Sequence, residues 1–137
     1  MTFPPQIDPP RVVGSSEFGG RSDAVGTLDQ DIFRVLGTIE EEETGRPLAN
    51  LVVRAFDRDL IFDDKVGFTT TDDDGRFEIR FNRQAFRDVG ESQPDLYLRV
   101  YDRSGIREIH QTTDAIRWNA SPSERYRLRI PARALRP

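Results

Sequence analysis

Apolar and polar residues alternate with a period of two in several short runs of this chain. Phe77, Ile79 and Phe81 alternate with Glu78 and Arg80, and Tyr126, Leu128 and Ile130 alternate with Arg125, Arg127 and Arg129. That period places one set on a buried face and the other in solvent, as in a half-buried strand. The same reading predicts strands over 32–39, 51–56, 66–71, 95–101 and 106–112, besides 77–81 and 124–130. Turn signals separate them. Thr44-Gly45-Arg46-Pro47 precedes the second strand, and Asp72-Asp73-Asp74-Gly75 precedes the fourth. In the latter, Gly75 supplies a positive φ and the aspartates bond their own turn amides. Pro131 ends the last strand, because proline cannot donate to a ladder. One short helix is predicted over 83–88, capped by Asn82 and pinned by Phe86. Seven short strands at regular spacing predict an all-β sandwich. Val35, Val53, Phe77, Ile79, Leu98, Val100 and Leu128 fall on the inward phase.

The pattern is absent before residue 31. Residues 1–30 carry four of the nine prolines and the patch Gly14-Ser15-Ser16-Glu17-Phe18-Gly19-Gly20. Such composition buries too little apolar surface to offset ordering entropy. The division is therefore an extended arm over 1–30, a sandwich over 31–131 and a short tail over 132–137. Phe3, Ile7, Val12, Val13 and Phe18 are apolar points along the arm and its candidate partner-binding residues.

Composition removes several chemistries. There is no cysteine, which excludes disulfides, thiolate nucleophiles and zinc–thiolate sites. A net charge of −4 gives the whole chain no pull toward nucleic acid or an anionic membrane. The N-terminus has neither a basic nor an apolar signal region, and no window is long enough for a transmembrane helix. The expected location is cytoplasmic, or outside the cell as part of an assembly exported without a signal peptide.

Gly37-x-Ile39, Thr44-Gly45-x-Pro47-Leu48, Val53-x-Ala55-Phe56-Asp57 and Thr71-Asp72-x-Asp74-Gly75-x-Phe77-x-Ile79 together resemble the transthyretin-like (prealbumin-like) sandwich. This is the superfamily of carboxypeptidase regulatory-like domains. The continuation Pro94-Asp95-Leu96-Tyr97-Leu98-x-Val100-Tyr101-Asp102 resembles a bacterial subgroup found as modules of toxin-complex proteins. The resemblance spans roughly 32–130 and implies a seven-stranded Greek-key topology. Its motifs are structural, and a fold of this kind hosts many functions.

Enzymes that share this architecture can be tested against the residues. Hydroxyisourate hydrolases use paired histidines, and intradiol ring dioxygenases bind iron through two tyrosines and two histidines. His110 is the only histidine here. A Ser-His-Asp arrangement would also need His110 as its base, and no serine lies in a nucleophile-elbow motif. An isopeptide bond would need a buried lysine. Lys65, the only lysine, sits in a charged loop beside Asp63 and Asp64. Asp57, Asp59, Asp72 and Asp74 are weak calcium candidates, since they offer hard oxygen ligands without EF-hand spacing. Their alternative role is turn chemistry. The arginine stripe Arg125, Arg127, Arg129 lacks interleaved aromatics for stacking on bases, which favours a solvated face.

These readings predict a chain that is not an enzyme, with no catalytic residues, no cofactor and no metal. The expected function is a protein-interaction or structural module that docks into a larger assembly through its arm and sandwich edges. Its expected partner is another protein or a second copy, with no nucleic acid and no membrane insertion. The alternative is a carbohydrate or small-ligand binding module that uses the acidic loop end.

Overall fold

Alternation becomes two layers of strands in the computed structural model, which describes residues 32–59, 62–86 and 93–137. The strands are β1 (Ile32–Glu41), β2 (Val52–Asp57), β3 (Asp64–Thr70), β4 (Arg76–Asn82), β5 (Leu96–Tyr101), β6 (Glu108–Gln111) and β7 (Ser123–Ile130). One sheet has the order β4-β1-β7, and the other β3-β2-β5-β6. The pairs are antiparallel except β1 with β7, which run parallel with Ile39 opposite Leu128. The protein is thus an all-β sandwich. The arm residues Phe3, Ile7, Val12, Val13 and Phe18 lie outside the described residues.

Every inward-facing residue named from the sequence is buried: Val35, Val53, Phe77, Ile79, Leu98, Val100 and Leu128. Phe33, Ile39, Ala55, Val66, Phe81, Leu96, Tyr126 and Ile130 join them in the interior, with Leu48, Leu51 and Ala120 from the loops. Phe33 and Phe81 face each other across β1 and β4, stacked with centroids 5.4 Å apart. Two threonines meet the polar needs at the interior's edge. Thr71 donates its hydroxyl to the Leu48 carbonyl at 2.7 Å and accepts from the Leu51 amide, while Thr112 accepts from the Leu98 amide.

Backbone constraints explain where the strands begin and turn. Gly75 has φ +73°, and a Cβ there would lie 2.5 Å from the Ile39 carbonyl oxygen. Only glycine satisfies both the conformation and the close approach. At Gly37 a Cβ would meet the Tyr126 carbonyl at 2.2 Å, so the parallel β1–β7 contact also needs glycine. β1 runs beyond its expected end at 39 because Glu40 and Glu41 pair with Arg129 and Ile130. β6 starts later than its expected start at 106, because the Asp102 amide donates to the Arg107 carbonyl and closes a turn there.

The short helix is a single 3-10 turn, Arg83–Phe86. Its cap is Asn82, whose Oδ1 accepts the Gln84 amide at 3.0 Å. The Phe86 side chain and residues 87–88 lie outside what is described. A second 3-10 turn, Ala132–Leu135, follows Pro131. Arg107 donates to the carbonyls of Ala134 and Leu135 and ties this turn to the sandwich. No helix among the described residues is long and apolar enough to cross a membrane.

Candidate functional site

The strongest concentration of polar chemistry lies on the outer face of the sheet β3-β2-β5-β6. Val53 and Ala55 point inward from β2, and Leu96, Leu98 and Val100 do so from β5. Alternation therefore turns Arg54 and Phe56, with Tyr97, Arg99 and Tyr101, to the other side. Phe56 and Tyr97 are direct cross-strand partners, with rings stacked 5.2 Å apart at 11°. Both are buried although neither belongs to the interior cluster. Arg99 lies over both rings, 5.7 Å from the Phe56 centroid and 5.5 Å from that of Tyr97. Arg54 lies 4.3 Å over Tyr101. Guanidinium groups stack well on aromatic faces, so β2 and β5 carry a plate of alternating cation and ring.

Two carboxylates lock the plate. Tyr97 donates its hydroxyl to Asp63 Oδ2 at 2.5 Å, which ties the residue before β3 to β5. Arg99 donates to Glu108 Oε1 at 2.8 Å. Burial, reinforced by the Asp63 carboxylate, pushes the Tyr97 phenol up to about 12. Burial also pushes the Asp63 carboxyl upward. The Tyr97 hydroxyl, the Asp59 amide and the charges of Arg58 and Arg99 outweigh it and hold the group below its usual range. His110 on β6 is half-buried; that burial lowers its pKa, against the opposing pull of Asp114 and Glu108. It is a neutral imidazole at the sheet edge.

A second polar group sits on the other sheet. Arg117 lies 3.7 Å over the Tyr126 ring and donates from Nη1 to Glu124 Oε1 at 2.9 Å and to the Arg125 carbonyl. The Tyr126 hydroxyl is buried without a hydrogen-bond partner among the described residues. Burial pushes that phenol up to about 12.

The calcium candidates do not converge. Asp57 ends β2 and is fully buried, accepting the Asp95 amide at 2.7 Å. Asp72 follows β3, whose length of about 20 Å separates the two loops. Its Oδ1 accepts the amides of Asp74 and Arg76, each at 2.9 Å. Asp74 belongs to this turn, and the Asp59 amide donates to Asp63 Oδ1. Among the described residues, no group of three or more His, Cys, Asp or Glu is placed to hold a metal ion. Lys65 is exposed on β3 opposite Phe56.

The Tyr97–Asp63 and Arg99–Glu108 constellation was missed from sequence. Its signal was the unbroken apolar run Leu96-Tyr97-Leu98, in which Tyr97 sits on the polar phase of the strand.

No family model matches the chain, and no curated protein matches it. Solved structures do. A 9R-lipoxygenase from Cyanothece PCC8801 is 24% identical with a TM-score of 0.59, over 75% of this chain and 17% of that one. The dioxygenase domain of a dioxygenase–carbohydrate-binding protein fusion from Streptomyces sp. SirexAA-E is 15% identical, TM-score 0.45, over 77% and 82%. Chlorocatechol 1,2-dioxygenase from Pseudomonas putida is 14% identical, TM-score 0.42, over 75% and 61%. The chain thus spans about a sixth of the lipoxygenase it is similar to.

The likeness to part of a lipoxygenase corrects two expectations. The first is a non-enzymatic interaction or structural module, with a carbohydrate- or small-ligand-binding module as its alternative. The second is that the chain is not an enzyme. The lipoxygenase, the neighbour with a TM-score of 0.59, is an enzyme. The expectation failed for a physical reason: it looked for a complete catalytic set within one sandwich. An enzyme built of several units needs no such set in each of them.

Proposed function

We propose that the chain is the β-sandwich unit of an oxygenase, one part of an enzyme whose oxidising centre is built outside this sandwich. The observation that carries this reading is the lipoxygenase likeness, which takes in three-quarters of this chain but only 17% of the other. The chain's own residues support the division of labour. They do not fit an iron centre of two tyrosines and two histidines. His110 is the single histidine, and Tyr97 and Tyr126 lie on different sheets. Both phenols are pushed up to about 12, so each stays protonated at neutral pH rather than offering a phenolate ligand or base. What the sandwich contributes is a rigid body whose β2–β3 loop is fastened by Tyr97 and Asp63. We also propose the transthyretin-like, Greek-key classification. The strand orders β4-β1-β7 and β3-β2-β5-β6, with β1 and β7 parallel, support it.

Oxygen uptake tests the enzymatic reading. The protein is purified from its source with every chain that stays bound. It is then offered a polyunsaturated fatty acid and a catechol in parallel. Oxygen consumption with either substrate is the expected result. Consumption with neither, under iron-replete conditions, overturns the reading.

A further inference from the structure

The outer face of the sheet β4-β1-β7 carries a charge opposite to that of the whole protein. Alternation turns Arg76, Glu78 and Arg80 of β4, Arg34 and Glu40 of β1, and Arg125, Arg127 and Arg129 of β7 to this face. All are exposed except the half-buried Glu40. Six arginines therefore stand against two glutamates, in a chain whose net charge is −4. The register sets them in rows across the strands: Arg80 beside Arg34, Glu78 and Arg125 flanking Leu36, and Arg76 and Arg127 flanking Thr38. Neighbouring positions are about 4.8 Å apart across the strands and about 6.7 Å along them.

The two carboxylates organise the arginines without neutralising them. Glu78 Oε2 accepts from Arg34 Nε at 3.2 Å and from Arg80 Nε at 2.7 Å. Glu40 Oε2 accepts from Arg127 Nη2 and Arg129 Nε, each at 3.1 Å. Each oxygen holds two guanidinium groups, so each cluster keeps a net positive charge. Arg76 and Arg125 make no ion pair among the described residues. Glu42, Glu43, Asp73 and Asp74 occupy the turns at one end of the face.

We propose that this face docks on an anionic phospholipid surface by electrostatics alone. Charge complementarity selects an anionic partner, and the spread of the arginines over three strands selects one extended in two dimensions. A three-stranded sheet offers no single helix or two-stranded ribbon to enter a nucleic-acid groove. Among the described residues, no aromatic lies on the face to stack on bases. The exposed Phe62, Phe68, Ile106 and Trp118 all lie elsewhere, and the half-buried Leu36 is the face's central apolar residue. The described residues of the face thus offer no wedge for insertion, and attachment rests on guanidinium–phosphate contacts and the negative surface potential of the leaflet. This inference is independent of the oxygenase reading.

Co-sedimentation of the full chain with vesicles tests it. Binding to phosphatidylserine–phosphatidylcholine vesicles at low salt, lost at physiological salt and absent with pure phosphatidylcholine, is expected. Each arginine removed near such a surface weakens binding about fivefold, so Arg76→Gln with Arg125→Gln should weaken it about 25-fold. Both positions are exposed, and an unchanged melting temperature verifies the fold. Arg103→Gln with Arg133→Gln removes the same charge from outside the face and should leave binding within about twofold. Equal binding to both vesicle types, or equal loss in both double variants, overturns the proposal. So does binding to duplex DNA at matched phosphate concentration without binding to vesicles.

Discussion

At the scale of single residues, the two buried tyrosines and the interior phenylalanines make sharply different demands. Phe77 projects from near the start of β4 into the interior and is almost fully buried. Phe77→Ala should cost about 3–5 kcal/mol by lost transfer energy and residual cavity. A urea titration reads this directly, and a midpoint unchanged within error would remove Phe77 from the interior. Tyr97 and Tyr126 tie stability to pH instead. Their folded-state values of about 12 lie above the ordinary tyrosine value of 10.0. The folded state therefore holds these protons more tightly than the unfolded chain does. The resulting stabilisation is fully present below about pH 10 and is lost as pH rises through about 12. Tyr97→Phe with Tyr126→Phe should flatten the fall in melting temperature across that window. An equally steep fall in the double variant would place the alkaline sensitivity in other groups. Burial of Phe77 was legible in the sequence because its neighbours alternate cleanly. The bond from Tyr97 to Asp63 was not, because it joins residues 34 positions apart through a loop that has no periodic pattern.

At the scale of elements, the acidic segments separate into two kinds of turn rather than one binding site. The Asp72–Gly75 turn was readable from sequence, since Asp and Gly meet its geometry directly. One oxygen of Asp72 accepts two amides, and Gly75 takes the positive φ. Asp72→Ala should cost about 1 kcal/mol by leaving those amides to water. A thermal melt measures it, and no shift would mean the turn holds without its side chain. The spatial relation of the two acidic loops was not legible, because it depends on β3 running between them. With Asp57 and Asp72 at opposite ends of that strand, calcium should give no titration heat, and a chelator should leave the melting temperature unchanged. A chelator-sensitive melt would contradict this account of the loops. The arginines show the same limit of sequence reading. The stripe on β7 is visible by alternation, but the partners that double it come from β1 and β4. Only the register brings Arg34, Arg76 and Arg80 to the same face.

At the scale of the whole molecule, the two outer sheet faces have become different surfaces although both are rich in arginine. On β3-β2-β5-β6 the guanidinium groups lie over rings, and Tyr97 is tied to Asp63. On β4-β1-β7 they stand in solvent around shared carboxylates. Between these faces, the interior cluster draws on residues from Phe33 to Ile130, contributed by both sheets. The chain divides at this boundary, and the unit Ile32–Pro137 includes every strand β1–β7. Interior packing between the sheets is the main source of stability for a sandwich of this size. A chain beginning at Ile32 should therefore unfold in one cooperative transition, with a melting temperature within a few degrees of that of the full sequence, about the effect of 1 kcal/mol or less. Scanning calorimetry of both chains decides the matter. A lost or broadened transition in the shorter chain would show that residues 1–31 supply surface the sandwich needs. An unchanged one would assign the fold's stability to the strands and leave the first 31 residues to act outside it.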